Sequence, residues 1–489
     1  MSTILLGFIV YLIILVVIGL WTSRFNKSLD DFLIAGRKLG TWPVAISAEA
    51  SDMSGWLVMG LPGRGFMYGV SAFWTAISCS LGTLFNWSVI AKRLRRFTDK
   101  LHSLTIPDYL EDRFKDDTHL IRAVSTIIIT IFMVAYVSVQ LVASGKILSE
   151  TFNWDYHTAL ILGFAIITFY TLMGGFFAVA WTDVFQGMLI IGILVLLPIA
   201  GIIKIGGFNT ILTKIGEINI NTLSPSFGHT GLFFILFAFA SMAWFFGYPG
   251  QPHILARYMA IKEEKKLWNT TAIGMTWVII SLWGAVLIGI IGLALFKELP
   301  DPEKVMPLLA TTILPEWAAG IVIAAITAAI MSTADSQLLV ATSSMVEDVY
   351  HKLLNPHAEQ KKLVTYSRVT VLLLSVAAFL LALQGGVVYF LVAFAWGGLA
   401  ASFGPLIILS LWWKRTTKWG AIAGMLTGTV SVIVWDKLGV ASALSHSLPS
   451  ELIIPGMLPA FFISLFSIII VSLLTTPPET KQLFKEIKT

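Results

Sequence analysis

Charge is scarce in this sequence: only 12% of its 489 residues are Asp, Glu, Lys or Arg, while 56% are hydrophobic. A soluble globular protein carries about 25% charged residues. Too few are present to coat a water-exposed surface, which excludes a soluble enzyme, a disordered chain and a nucleic-acid binder. Cysteine is nearly absent. Cys79 is alone, which excludes a disulfide framework and a cysteine metal cluster, and its small or apolar neighbours mark it as a buried filler. No GxxxxGK[ST] loop is present to bind ATP, no HExxH is present, and the eight histidines are scattered. No stretch between apolar runs exceeds about thirty residues, too short for a soluble catalytic or signalling domain. No basic residue precedes the first run, Ile4 to Trp21, and no small-x-small site follows it, so it is expected to be retained as a span rather than cleaved.

What is present is a series of apolar runs of membrane-crossing length. After the first they lie near 40–65, 69–91, 122–148, 157–177, 181–204, 230–252, 270–296, 315–345, 363–384, 386–412, 418–438 and 453–474. The expectation is an all-α integral membrane protein of thirteen transmembrane helices. With the N-terminus outside, 26 of the 33 Lys and Arg fall in cytoplasmic loops or the C-terminal tail. The seven outside are Arg64, Lys146, Lys204, Lys214, Lys297, Lys304 and Lys437. That asymmetry supports the count, the orientation and a place in the cell membrane. It also accounts for the net charge of +5. The cluster Lys92, Arg93, Arg95 and Arg96 is then a topology signal, with anionic lipid headgroups as a secondary role.

Three runs are irregular. In lipid every backbone polar group needs a partner, so broken backbone survives only where it is buried or lines a cavity. The second run reads Ala-Glu-Ala-Ser-Asp-Met-Ser-Gly-Trp from Ala48 to Trp56. Glu49 and Asp52 sit three apart on one helical face, beside a helix weakened by Ser51, Ser54 and Gly55. A charge at membrane depth costs at least about 2.5–3.5 kcal/mol, so such an acid points to function. The bland alternatives are a protonated acid or a place at the water interface. The seventh run ends Trp244-Phe-Phe-Gly-Tyr-Pro-Gly-Gln-Pro-His253. Pro249 and Pro252 remove amide donors, Gly247 and Gly250 loosen the chain, and Trp244 and Tyr248 share a face. An interfacial aromatic belt with a proline kink is the alternative. His253 is expected to be a satisfied polar residue at the cytoplasmic end. The ninth run places Ala329, Ser332, Thr333 and Ser336 on one small, hydroxyl-bearing face with Asp335 beside it. Such hydroxyls either bond back to their own helix or line an ion pathway. The breaks in runs two and seven lie five runs apart, the pattern of an inverted-repeat transporter. Spans 2–6 and 7–11 then form a 5+5 repeat. The domain boundaries are 36–204 and 230–412, with 1–35 and 413–489 as peripheral helices.

The stretches Ala-Ser-Asp-Met-Ser-Gly-Trp-Leu-Val-Met-Gly-Leu-Pro-Gly (50–63) and Gly-Tyr-Pro-Gly-Gln-Pro-His-Ile-Leu-Ala-Arg-Tyr-Met-Ala-Ile (247–261) resemble the sodium/solute symporter family, and its sodium/proline branch in particular. So do 173–186 and Met-Ser-Thr-Ala-Asp-Ser-Gln-Leu-Leu (331–339). The resemblance implies a transporter, not an enzyme, that couples inward sodium movement to L-proline uptake by alternating access, with no cofactor beyond the coupling ion. It implies a sodium site made of the carbonyls of Ala50, Met53 and Ala329 and the hydroxyls of Ser332 and Thr333. Asp52 would support this region, and Asp183 facing Ser336 would form a second cation position. Asp335 departs from the neutral residue of many relatives. The resemblance further implies a proline pocket of Ser54, Gly55, Trp56, Tyr136, Trp244, Tyr248 and Pro252, and a coupling role for Arg37, which is otherwise a plain topology charge. The expected partners are L-proline, sodium and the bilayer, and the expected state is a monomer. Another amino acid, a sugar or a carboxylate is the alternative solute. A membrane sensor is the more distant alternative.

Overall fold

A computed structural model describes residues 3–22, 33–173, 175–440, 443, 453–477 and 483–484. Arg24, Lys27, Gly174, Lys481, Lys485 and Lys488, which entered the charge count or a motif above, lie outside these. Each of the thirteen apolar runs is helical. The first is α1 (Thr3–Thr22). The second is α2 (Thr41–Asp52) and α3 (Leu61–Tyr68), joined by a wide turn over Trp56–Gly60. The third is α4 (Phe73–Phe85), continued through α5 (Lys92–Lys100). A short helix, α6 (Ile106–Phe114), precedes α7 (Leu120–Phe152), α8 (Tyr156–Met173) and α9 (Phe176–Ile205). After α10 (Phe208–Ile218), the seventh run is α11 (Gly231–Ser241), a tight coil over Met242–Gly250 and α12 (Pro252–Met259). Then come α13 (Leu267–Phe296), α14 (Val305–Ile313), α15 (Glu316–Ser343), α16 (Gln360–Ala382), α17 (Val388–Trp412), α18 (Lys418–Lys437) and α19 (Met457–Leu474). Among the described residues, nine helical stretches are long and apolar enough to cross a membrane.

Burial separates an inner from an outer ring. The most apolar window of the Glu316–Leu354 stretch is 83% buried, against 28% for Lys362–Ala382. The outer helices turn Phe169, Leu196, Ile203, Leu373 and Leu474 outward. Apolar side chains exposed in such number on α8, α9, α16 and α19 suit lipid rather than water. The inner helices approach closely where glycine permits. At Gly289 of α13 a Cβ would overlap Pro62 and Phe66 of α3, so the two backbones touch there.

The broken runs sit at the centre. Residues of α3 pack on α13, and Met242–Gly250 packs on α4 and α17, while α2 packs on α9. At the basic end, buried Arg122 binds Asp108 (2.8 Å), Glu111 (2.8 Å) and Asp348 (2.6 Å), tying α6 and α7 to the chain beyond α15. The neighbouring cluster also makes protein contacts. Arg96 pairs with Glu264 at 2.8 Å, Arg95 with Asp99 at 2.8 Å, and the Arg93 guanidinium lies 4.3 Å from the Trp412 ring. Lys92 lies 3.5 Å from Glu264. Lys92 and Arg96 share the one carboxylate of Glu264, and Arg93 meets a ring and the Leu411 carbonyl rather than an acid.

Candidate functional site

The break in the second run follows from its residues. Met53 leaves helical geometry with ψ at 77°, and its N–H donates to the Glu49 carbonyl at 2.9 Å. Ser54 N–H turns back to the Asp52 carbonyl at 3.0 Å. Carbonyls just upstream thus lose their usual partners, and two other runs serve the exposed backbone. Ser332 Oγ of α15 donates to the Ala50 carbonyl at 2.8 Å and to Ala329 O at 3.2 Å. Thr333 Oγ1 donates to the same Ala329 carbonyl at 3.1 Å. Gly55 N–H donates to Gln140 Oε1 of α7 at 3.0 Å. A Cβ at Gly55 would sit 2.9 Å from Ala143, so only glycine fits here. Ala50, Ala329, Ser332 and Thr333 are thereby gathered beside the break, with Met53 at its corner. Carbonyl and hydroxyl oxygens suit a hard monovalent cation.

The seventh run tightens into nine residues of 3-10 geometry, Met242–Gly250, where three or four is the usual limit. Gln251 is extended and α12 starts at Pro252, whose missing N–H costs nothing at that position. Trp244 lies 4.7 Å from Trp56 and 5.1 Å from Trp396, ring to ring, and Tyr248 lies 5.4 Å from Trp396. Trp244 Nε1 donates to the Tyr389 hydroxyl at 3.3 Å. The Tyr136 hydroxyl reaches Ser54 Oγ at 3.4 Å. The Asp52 carboxylate faces the Trp396 and Tyr248 side chains. Trp56, Trp244, Tyr248 and Trp396 therefore form one aromatic cluster between the two breaks, the enclosure, with Ser54, Gly55 and Tyr136 beside it.

Pro252 starts α12 and borders a crevice of about 20 Å³ with Leu104, Thr105 and Val340. One expectation needs correction here. His253 is fully buried, its ring 6.2 Å from Tyr136, and neither ring nitrogen has a partner among the described residues. Among the described residues it is unsatisfied.

The second cation position is the largest departure. Asp183 and Ser336 do converge, but the Arg257 guanidinium lies between them. Its Nη2 is 3.2 Å from Asp183 Oδ2 and donates to Ser336 Oγ. Ser47 Oγ donates to the same Asp183 oxygen at 2.6 Å, and Ser336 Oγ approaches Asp335 Oδ1 at 3.3 Å. The charge count places Arg257 in a cytoplasmic loop, yet it is fully buried. A fixed cation stands where a mobile one was expected. Removing one member of a buried ion pair costs about 3–5 kcal/mol, since the other charge is stranded. Arg257→Met is therefore expected to lower the melting temperature of the purified protein sharply and Arg257→Lys much less. Equal melting of the three proteins would show the pair to be dispensable.

Arg37 lies at the basic end. Its guanidinium donates to the carbonyls of Thr98 (2.8 Å), Ser103 (2.8 Å) and Met259 (3.3 Å). Ala35, Gly36 and Arg37 all have φ near +50° to +55°, a strained run for two residues that carry a Cβ. Next to it, Lys262 N–H donates to the Leu39 carbonyl at 3.1 Å. Segments entering run two and leaving run seven are thus pinned together at the basic end. Glu49, the other acid of the second run, accepts from Trp87 Nε1 at 2.8 Å and faces α13 rather than the rings.

Four enclosure residues went unremarked in the sequence. Trp396 and Tyr389 look like ordinary aromatics of an apolar run, although Gly397-Gly398 beside Trp396 hinted at close packing. A Cβ at Gly247 would fall within the Trp396 ring, so the glycine of one run exists for the tryptophan of another. Gln140 and Asn86 are lone amides in apolar runs. Asn86 Nδ2 donates to the Tyr248 carbonyl at 3.1 Å.

Residues 32–428 match the sequence profile of the Sodium:solute symporter family. The chain is 41% identical over 470 residues to the high-affinity proline transporter PutP of Bacillus subtilis (strain 168), covering 95% of this chain and 96% of that one. It is 40% identical over 484 residues to the sodium/proline symporter of Escherichia coli (strain K12), covering 97% and 93%. In fold it is similar to a Na+-coupled sialic acid symporter solved in a substrate-bound outward-open state (TM-score 0.79, 20% identity, covering 98% of this chain and 99% of that one). It is also similar to MhsT in complex with L-phenylalanine (TM-score 0.55, 13% identity, covering 88% and 97%).

Proposed function

This chain belongs to the sodium:solute symporter family, and on that premise we propose that it couples inward sodium movement to uptake of L-proline by alternating access. It is a sodium-coupled solute symporter and a multi-pass membrane protein. The observation that carries the finer reading is the aromatic enclosure, which adjoins the freed carbonyls of run two. Proline offers a carboxylate, a secondary ammonium and a flat apolar ring. The carboxylate goes to the amino end of the second half of run two, beside Ser54 and Tyr136, where a helix start favours negative charge. The ring lies among Trp56, Trp244 and Tyr248, whose faces also hold the ammonium. Because Trp56 and Trp244 touch, proline parts them as it binds.

Sodium takes the carbonyls of Ala50, Met53 and Ala329 and the hydroxyls of Ser332 and Thr333. Ser332 then exchanges its bond to Ala50 for a shared ion, which keeps α15 strapped to the break. One sodium ion moving through ~100 mV and a tenfold gradient releases about 3.7 kcal/mol, enough for accumulation on the order of several hundredfold. A second cation at Asp183 has first to displace Arg257, so one ion is the simpler stoichiometry. The 5+5 repeat (36–204 and 230–412, flanked by 1–35 and 413–489) is supported by exchanged neighbours. Run two packs on runs eight and six, and run seven on runs three and eleven. The thirteen spans and the N-terminus-outside orientation rest on the charge asymmetry.

Trp244→Ala and Tyr248→Ala test the pocket. Each truncation is expected to weaken apparent proline affinity by tenfold or more. The sodium concentration for half-maximal uptake at saturating proline should move less than threefold. Near-normal proline affinity in both variants, measured by uptake in membrane vesicles, places the pocket elsewhere.

A further inference from the structure

A larger crevice, of about 790 Å³, opens at the basic end where α5 and α13 begin. Lys92 and Arg96 of α5 line it from one side, and Glu264, Lys265 and Trp268 from the other. Its charges do not balance. Arg96 and Lys92 lie 2.8 and 3.5 Å from the same Glu264 carboxylate. Glu263, the other acid of the lining, is paired outside it with Lys266 at 3.0 Å. Lys265 is exposed, and no further acid lines the crevice. Glu264 is thus shared and the lining keeps a positive excess, which draws an anion. A phosphate presents several oxygens and so serves several donors at once. Arg93 and Arg95 are held elsewhere, by the carbonyls of Leu411 and Ile261. The structure therefore narrows the basic cluster of run three to two members and adds Lys265 to them.

The surface that leads away from the crevice is apolar. On run three, exposed Leu81, Leu84, Ser88 and Lys92 follow one another every three or four residues, a helical strip that ends in the crevice. On α13, Trp268, Ile279 and Trp283 share one face and are 75%, 45% and 43% exposed. Because α4 and α13 pack together, both strips run along neighbouring helices. Trp268 stands where the charged loop meets the apolar run, the place an interfacial tryptophan takes in a bilayer. A free phosphate would use the basic lining alone. A phospholipid uses the lining for its headgroup and the strips for its chains.

We propose that this crevice binds one anionic phospholipid of the cytoplasmic leaflet, its phosphate among Lys92, Arg96 and Lys265 and its acyl chains along α4 and α13. Selection is by charge: a zwitterionic headgroup brings its own cation into a lining that already has an excess. The site is independent of which solute the chain transports.

The test is equilibrium binding of radiolabelled phosphatidylglycerol to the purified full chain in detergent, with phosphatidylcholine and soluble glycerol phosphate as competitors. Wild type is expected to bind the label saturably, to lose it as salt rises, and to surrender it to unlabelled phosphatidylglycerol but to neither competitor. Lys92→Gln and Lys265→Gln should each weaken binding about fivefold. Lys92→Gln leaves Glu264 paired with Arg96, so the contact between α5 and the loop survives. Lys297→Gln, just past the far end of α13, should match wild type within twofold. Phosphatidylglycerol should also raise the melting temperature of wild type and not that of the Lys92→Gln, Lys265→Gln double variant. Equal displacement by phosphatidylcholine would show an unselective lipid annulus, and equal displacement by glycerol phosphate a site for a free phosphate. Unchanged affinity in both lysine variants would place the lipid elsewhere. Each of these three results overturns the proposal.

Discussion

Asp52→Ala is expected to reduce sodium-driven uptake by at least a hundredfold while the protein still reaches the membrane. Asp52 is 7% exposed, in an apolar run, one residue before the corner at Met53 and two after Ala50. A carboxylate there costs at least about 2.5–3.5 kcal/mol, which points to function. Its side chain faces Trp396 and Tyr248, and its backbone lies beside Ala50 and Met53, whose carbonyls are proposed to take the sodium ion. Removing it weakens both ends of the coupling at once. Asp52→Glu keeps the charge but misplaces it, so partial activity is expected. Asp52→Asn keeps the size and loses the charge, and should resemble Asp52→Ala. Uptake normalised to the amount of protein in the membrane is the measurement, and wild-type rates in Asp52→Ala would show the acid to be incidental.

Ser332→Ala is expected to raise the sodium concentration for half-maximal uptake by tenfold or more, the loss of about 1.4 kcal/mol. The change removes one oxygen and little volume, so packing damage is small. Ser332 and Thr333 are not equivalent. Ser332 bonds across to Ala50 of the broken run, whereas Thr333 bonds only to Ala329 of its own helix. Thr333→Ala should therefore act through the ion alone, and Ser332→Ala through the ion and the strap, with the larger effect. Apparent proline affinity should weaken in both at limiting sodium and recover as sodium saturates, because binding linkage is reciprocal. Cysteine at either position should be worse than a Ser/Thr exchange, since sulfur serves a hard cation poorly. Curves that overlay wild type would show that these hydroxyls are not sodium ligands.

The helices were legible because lipid makes length and hydropathy decisive, and the breaks because glycine, proline and buried acid are conspicuous in such runs. The shared face of Trp244 and Tyr248 followed from helical spacing, and both rings do meet Trp396. Partners distant in the chain were not legible. Arg257 reads as a loop charge because it closes an apolar run; only the fold brings it to Asp183, 74 positions away. Tyr389 has no signature that separates it from lipid-facing aromatics, and Trp396 has only the neighbouring Gly397-Gly398.

The most direct measurement is L-proline accumulation by vesicles containing the purified chain, with an imposed inward sodium gradient and with choline in its place. Uphill accumulation that needs sodium, collapses when the gradient is dissipated, and is accompanied by sodium influx is the predicted result. Proline uptake that proceeds unchanged in choline, or sodium-driven uptake of another solute with none of proline, would contradict it.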